Sequence, residues 1–276
     1  MAGKYVLFVH GVGEQQPGYS DKLWDVLWKD TSVPDIEKRE LFYYDVFRDA
    51  EVKNRVGDYA EVIGDKVNDL ISGLWPGKNV APAVAGFCTD TMAHLAYFLA
   101  LGNVKTVVLE RFRESIRAMT EEALDQGVGF PNTEITVVSH SLGTVVSYLG
   151  LHELANPKDP KKKFYSSVKS LYTLATPLEF IRTVSDWVPA FLNVDHITAG
   201  ITRPVTTVGG STETNIRQWF SFRHKWDPVA SLVPVRGKPV KNPDEAPFTF
   251  GDFQLTHTHD FDKYIEQARG SIRSRL

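Results

Sequence analysis

Apolar and polar positions along this chain repeat at two periods, one suited to strands and one to helices. Lys4 to Val9 (K-Y-V-L-F-V) is a short apolar run rich in β-branched and aromatic residues, as in a strand buried on both faces. It stops at His10-Gly11-Val12-Gly13, where Gly13 signals a turn. Residues 20–30 then place Leu23, Trp24, Leu27 and Trp28 at helical spacing, behind Ser20 as a candidate N-cap. Glu40 to Asp45 (E-L-F-Y-Y-D) reads as a second strand. Residues 103–126 read as a long helix carrying Val104, Val107, Val108, Phe112, Ile116 and Met119 on one side. Pro131-Asn132 breaks the chain before a third strand, Ile135 to Val138, and a helix, Leu142 to Leu154. Ser167 to Ala175 and Arg217 to Phe222 are further strands, and Asp262 to Arg275 is a terminal helix. Strands alternating with helices predict an α/β fold, a mostly parallel sheet covered on both faces.

Composition narrows the functional classes. The 31 basic and 34 acidic residues give a net charge of -3, so there is no electrostatic case for nucleic acid or an anionic membrane. A single cysteine, Cys88, excludes an internal disulfide and fits a reducing compartment. The opening Met-Ala-Gly-Lys-Tyr lacks the pattern of a signal peptide, and the most apolar stretch, 83–101, is interrupted by Asp90 and His94. The expectation is a cytoplasmic protein without stable membrane insertion. At 276 residues it is expected to form a single domain over 1–276, with segments 50–102 and 180–212 inserted between core elements as caps. The sequence sets no oligomeric state.

The most informative stretch is 135–149, I-T-V-V-S-H-S-L-G-T-V-V-S-Y-L. A strand passes into a helix with only a tight turn between. Such a turn forces its central residue, Ser141, into strained backbone angles and lifts the side chain above the sheet edge. The positions two before and two after must be small, and they are Ser139 and Gly143. The new helix aims its N-terminus at the Ser141 hydroxyl, where backbone N–H groups can hold a developing oxyanion. The competing reading makes Ser139 and Ser141 ordinary turn formers and helix caps.

V-V-S-H-S-L-G-T resembles the nucleophile elbow of the α/β-hydrolase superfamily, with serine replacing the first glycine of G-x-S-x-G. F-V-H-G-V-G-E-Q (8–15) resembles the His-Gly oxyanion loop of these enzymes. Y-T-L-A-T-P-L (172–178) resembles the strand after the elbow helix, with Ala175 where glycine is common. H-K-W-D-P-V-A (224–230) resembles the segment carrying the triad acid. The likeness is closest to lipases and esterases, including those similar to GPI-inositol deacylases. It implies an α/β-hydrolase fold with a helical cap and a serine esterase or lipase activity, with no cofactor.

A serine hydroxyl needs a histidine to take its proton and a carboxylate to orient that histidine. The resemblance implies the order serine, acid, histidine. It gives the acid to Asp227, with Asp186 and Asp195 as alternatives, and the base to His257 or His259. His257 is preferred because Asp252 precedes it and Phe261 follows it at the family's spacing. His10 and Gly11 form the oxyanion loop, with the His10 ring bracing it. His140 is expected to pack or hydrogen-bond beneath the nucleophile. The oxyanion donors are the backbone N–H of Leu142 and one from the loop after Gly11, either Val12 or the residues next to it.

Two other classes compete. His257-x-His259 could bind a metal, but Phe261 and Asp262 stand where a metallo-hydrolase motif needs aspartate and histidine, so no metal is expected. A non-catalytic binding protein could use the same fold, though it would not need the ordered set Ser141, Asp227 and a downstream histidine. The apolar residues 84–101 read as a buried cap helix or as an acyl-binding wall, with Phe180 to Val194 facing them. The expected partner is therefore a small ester or lipid-like substrate.

Overall fold

The computed structural model describes residues 3–28, 36–48, 91–155 (except 92, 96, 100 and 101), 162–185 (except 166), 206–208, 211–213, 216–224 and 249–255. The first strand is β1 (Lys4–Val9), followed by helix α1 (Asp21–Trp28) and β2 (Ile36–Leu41). After helical residues between 91 and 99 come α2 (Gly102–Asp125), β3 (Glu134–His140), α3 (Leu142–Leu154), the short α4 (Lys162–Tyr165), β4 (Val168–Leu174) and α5 (Leu178–Ser185). A small antiparallel hairpin, β5 (Thr206–Val208) and β6 (Ser211–Glu213), precedes β7 (Gln218–His224) and β8 (Thr249–Leu255).

Six of these strands form one sheet in the order β2-β1-β3-β4-β7-β8, and every pairing in it is parallel. A parallel sheet needs both faces covered, which explains the continuous apolar runs. In β1 alternate side chains go to opposite faces: Tyr5, Leu7 and Val9 join one core, Val6 and Phe8 the other. The first core is closed by α2 and α3. The second, with Val138, Tyr172, Phe220 and Phe222, is packed by Tyr19, Leu23 and Trp24 at α1. The α/β architecture expected from the alternating pattern is therefore present. No helix among the described residues is long and apolar enough to cross a membrane.

Helix α3 has 12 of its 13 residues buried, as its apolar composition all round requires. It lies against α2 so closely that a Cβ at Gly150 would collide with the Phe112 ring. On α2 the buried stripe runs through Val104, Val108, Phe112, Ile116 and Met119. Val107, expected on that side, is 43% exposed. At 100° per residue it falls about 60° beyond Val104, outside the stripe.

The second strand differs from the expectation. It spans Ile36–Leu41, not Glu40 to Asp45, and the chain leaves the sheet at Phe42 to make a 3-10 turn at Tyr44–Phe47. The strand I-E-K-R-E-L is charged because, among the described strands, it pairs on one side only. Its charges are matched across the sheet's edge: Arg39 bonds Glu37 and Glu122 (2.7 and 2.9 Å) and lies over the Tyr5 ring, while Lys38 pairs with Asp21. Such pairs suit an edge strand. The expected cap segments fall largely outside the described residues. Where 91–99 is described, Ala93, Leu95, Tyr97, Phe98 and Leu99 are buried in the main core.

Ser20 precedes α1 as expected, but its hydroxyl donates to Glu40. The Glu40 carboxylate also accepts from the backbone N–H of Gly18 (2.8 Å) and Ser20 (2.9 Å), so an acid on β2 holds the start of α1. Burial pushes this carboxyl up, but the bonds from Ser20 and Gly18 and the Lys38 ammonium outweigh burial and hold it below the usual carboxylate range. A lowered pKa adds stability that is present above the unfolded-state value of about 4.3 and is lost as pH falls through the lowered folded value. Glu40→Gln should therefore cost roughly 1–2 kcal/mol at neutral pH. Denaturant melts of both forms should converge as pH drops below about 4.

Candidate active site

The site is built where two connections part. From β1 the chain crosses to β2 on one side, and from β3 it crosses to β4 on the other. The carboxyl ends of β1 and β3 therefore flank the switch point, where open α/β sheets bind ligands. His10-Gly11 follows β1 there, and Ser141 follows β3.

Ser141 is the only residue between β3 and α3, with φ 51° and ψ −123°. L-residues rarely adopt this conformation, and holding one there costs on the order of 1–3 kcal/mol. The serine occupies the N-cap position of α3, yet its side chain makes no capping hydrogen bond. Ser139 is not a cap either. It is buried in β3 with its hydroxyl donating to the Tyr172 carbonyl (3.2 Å). The backbone of Ser141 is tied on both sides: its N–H donates to Leu174 O (3.0 Å), and its carbonyl accepts from the Thr144 N–H (2.9 Å) and hydroxyl (2.7 Å).

Two glycines let the pieces close. A Cβ at Gly143 would run into the carbonyl oxygens of Val9 and His10 and lie 2.9 Å from the Val9 carbonyl carbon, so α3 begins directly on the end of β1. A Cβ at Gly11 would lie 2.8 Å from Ser141 Cβ and 3.1 Å from His140 Nδ1. The loop after β1 thus touches the serine with its backbone. The Leu142 N–H, at the first position of α3, has no acceptor within its own helix.

His10 is buried and holds this loop. Its Nδ1 lies 2.7 Å from Gly11 O, which can only accept, so the proton is on Nδ1. The ring stacks on Tyr43, with centroids 4.2 Å apart and planes 6° apart, and the Tyr43 hydroxyl donates to His10 O (2.5 Å). Burial lowers the His10 pKa against the opposing bond to Gly11, and His140 lowers it further, so the ring stays neutral at pH 7. Its Nε2 is buried without a hydrogen-bond partner. Tyr43 had no sequence signal for this role, because it sat inside the expected second strand.

His140, expected beneath the nucleophile, is instead exposed at the end of β3. As the last residue of the strand it has passed the point where helix and sheet close over it. It lines a cleft of about 270 Å³ together with Phe8, Gly11, Tyr19, Leu23 and Leu174.

Asp227, His257 and His259 lie outside the described residues, as do the alternative acids Asp186 and Asp195. The strands that precede them are in place. Register aligns His140, Leu174, Phe222 and Phe253 in one row across β3, β4, β7 and β8, so all four strands end on the edge that carries Ser141. No family model matches the chain, and no curated protein matches it.

Gly143→Ala must move α3 off the β1 carbonyls or strain both. It should destabilise the protein by about 2 kcal/mol or more, read as a lower midpoint in urea.

Proposed function

We propose that the protein is a serine hydrolase of the α/β-hydrolase fold that cleaves carboxylic esters. The observation that carries this reading is a serine, not glycine, held in a strained turn at the switch point with a free-standing hydroxyl and the loop after β1 packed against it. Backbone strain of this kind persists where function needs it.

Ser141 Oγ attacks the ester carbonyl, and His257, or His259, takes its proton. Asp227 orients the imidazole, which then protonates the leaving alcohol, and water releases the acyl group by the reverse route. The Leu142 and Val12 N–H groups donate to the oxyanion, each contributing on the order of 3 kcal/mol.

The cleft reaches Ser139 and His140, the residues just before Ser141, and is lined by Phe8, Val9, Leu23, Val138 and Leu174 beside the polar His10, Gln15 and Ser20, which suits an ester with an apolar acyl or alkyl group. Its 270 Å³ is just below the roughly 300–1,000 Å³ of drug-sized sites, which favours a short chain over a long one. A small ester with a short apolar chain is the substrate class this supports.

A fluorophosphonate probe should label the wild type and leave Ser141→Ala unlabelled at an unchanged melting temperature; equal labelling of both would end the serine assignment. EDTA should leave turnover intact. Among p-nitrophenyl esters, acetate and butyrate should be cleaved at least about tenfold faster than palmitate, with chain-length discrimination of 1–3 kcal/mol. Of His257→Ala and His259→Ala, the base variant should lose most of its turnover, about 10²–10⁴-fold, and the other should keep it.

A further inference from the structure

Two non-glycine residues with positive φ stand side by side at the carboxyl edge of the sheet: Ser141 after β3 (51°) and Ala175 after β4 (52°). The second turn is anchored to the far side, its Ala175 N–H donating to Phe222 O on β7 (2.8 Å). From there it grips the first turn at two points. Leu174 O accepts the Ser141 N–H (3.0 Å), and Thr176, 3% exposed, brings its hydroxyl 2.8 Å from the Thr144 hydroxyl.

The direction of this hydroxyl pair is set by chemistry. The Thr144 hydroxyl lies 2.7 Å from the Ser141 carbonyl oxygen, which can only accept, so the Thr144 proton is committed there. Thr176 must then donate to Thr144. The chain runs Thr176 to Thr144 to the Ser141 carbonyl. That carbonyl belongs to the same planar trans peptide as the Leu142 N–H, and the two groups point in opposite directions. Anchoring the carbonyl therefore aims the N–H.

We propose that Thr176 is a positioning residue: through Thr144 it fixes the Ser141–Leu142 peptide so that the Leu142 N–H points at the developing oxyanion. The assignment rests on the serine-hydrolase reading above. Both hydroxyls are buried, so water does not compete for these bonds, and loss of the Thr176 donor leaves the Thr144 oxygen without a donor, weakening the polarised chain that holds the Ser141 carbonyl.

The test compares Thr176→Val, which keeps the shape and removes the donor, with Thr176→Ser, which keeps the donor. Oxyanion donors act in the transition state, and losing one outright costs about 10²–10³ in kcat. Misaiming it in Thr176→Val should lower kcat for p-nitrophenyl butyrate about tenfold or more, with KM within about twofold. Thr176→Ser should restore kcat. Thr176→Ala replaces Thr176→Val if the latter does not fold. In parallel, the Thr144 amide, which donates to the Ser141 carbonyl, should exchange with solvent deuterium about tenfold faster in the donorless variant, and return to the wild-type rate in Thr176→Ser.

Wild-type kcat in the donorless variant, or no recovery in Thr176→Ser, overturns the proposal. If the wild type itself neither labels nor turns over ester, the hydrolase reading fails instead. The exchange rate then still decides the coupling, since an unchanged Thr144 amide would show that Thr176 does not hold the peptide.

Discussion

Between the first turn of α3 and the last carbonyls of β1 there is room for a hydrogen atom and nothing larger. Gly143 supplies that hydrogen, and on the other side of the junction Gly11 does the same against Ser141. These contacts decide how near a helix can begin to a neighbouring strand. Because α3 starts so close, β3 must hand over to it within a single residue, and that residue takes backbone angles a serine resists. The positive φ of the serine and its hydroxyl without a capping bond both belong to this handover.

The loop after β1 is kept rigid by aromatic stacking and by a ring that carries no charge. Tyr43 covers one face of His10 and binds its carbonyl, while the ring's own N–H closes on Gly11. A protonated ring would place a cation in a dry pocket, and burial works against it. The neutral form leaves the loop's backbone as the polar surface that faces the serine. The edge strand follows a different rule. Paired on one side only among the described strands, it carries matched charges, where β1 is apolar from Tyr5 to Val9.

The sequence revealed elements whose pattern is set by burial on all sides. Strand β1 and helix α3 came out with their observed limits because an unbroken apolar run leaves little choice. The tight strand-to-helix turn at Ser141 was readable too, since small residues stand two positions before and two after it. Strand β2 was misplaced because its residues answer to partners on α1 and α2 that no local window contains. Aromatic Phe42-Tyr43-Tyr44 mimicked a strand while serving the His10 stack. Thr144 and Thr176 are 32 residues apart, and their meeting depends on a bend after β4 that only the folded chain makes. His140 was expected to pack or hydrogen-bond beneath the nucleophile and is exposed instead, because a strand's last side chain is not governed by the pleat that covers its predecessors.

The pairing of β1 with β3 also has a temporal side. Lys4 meets Glu134, so the ladder that brings Gly11 to Ser141 closes a loop of 130 residues (134 − 4). Contacts this distant in sequence are slow to form, because chain entropy must be surrendered before they return anything. A chain still emerging during synthesis, or one caught half folded, owns every group of the junction without having the junction. On the hydrolase reading proposed above, reactivity at Ser141 would therefore wait until this ladder has closed.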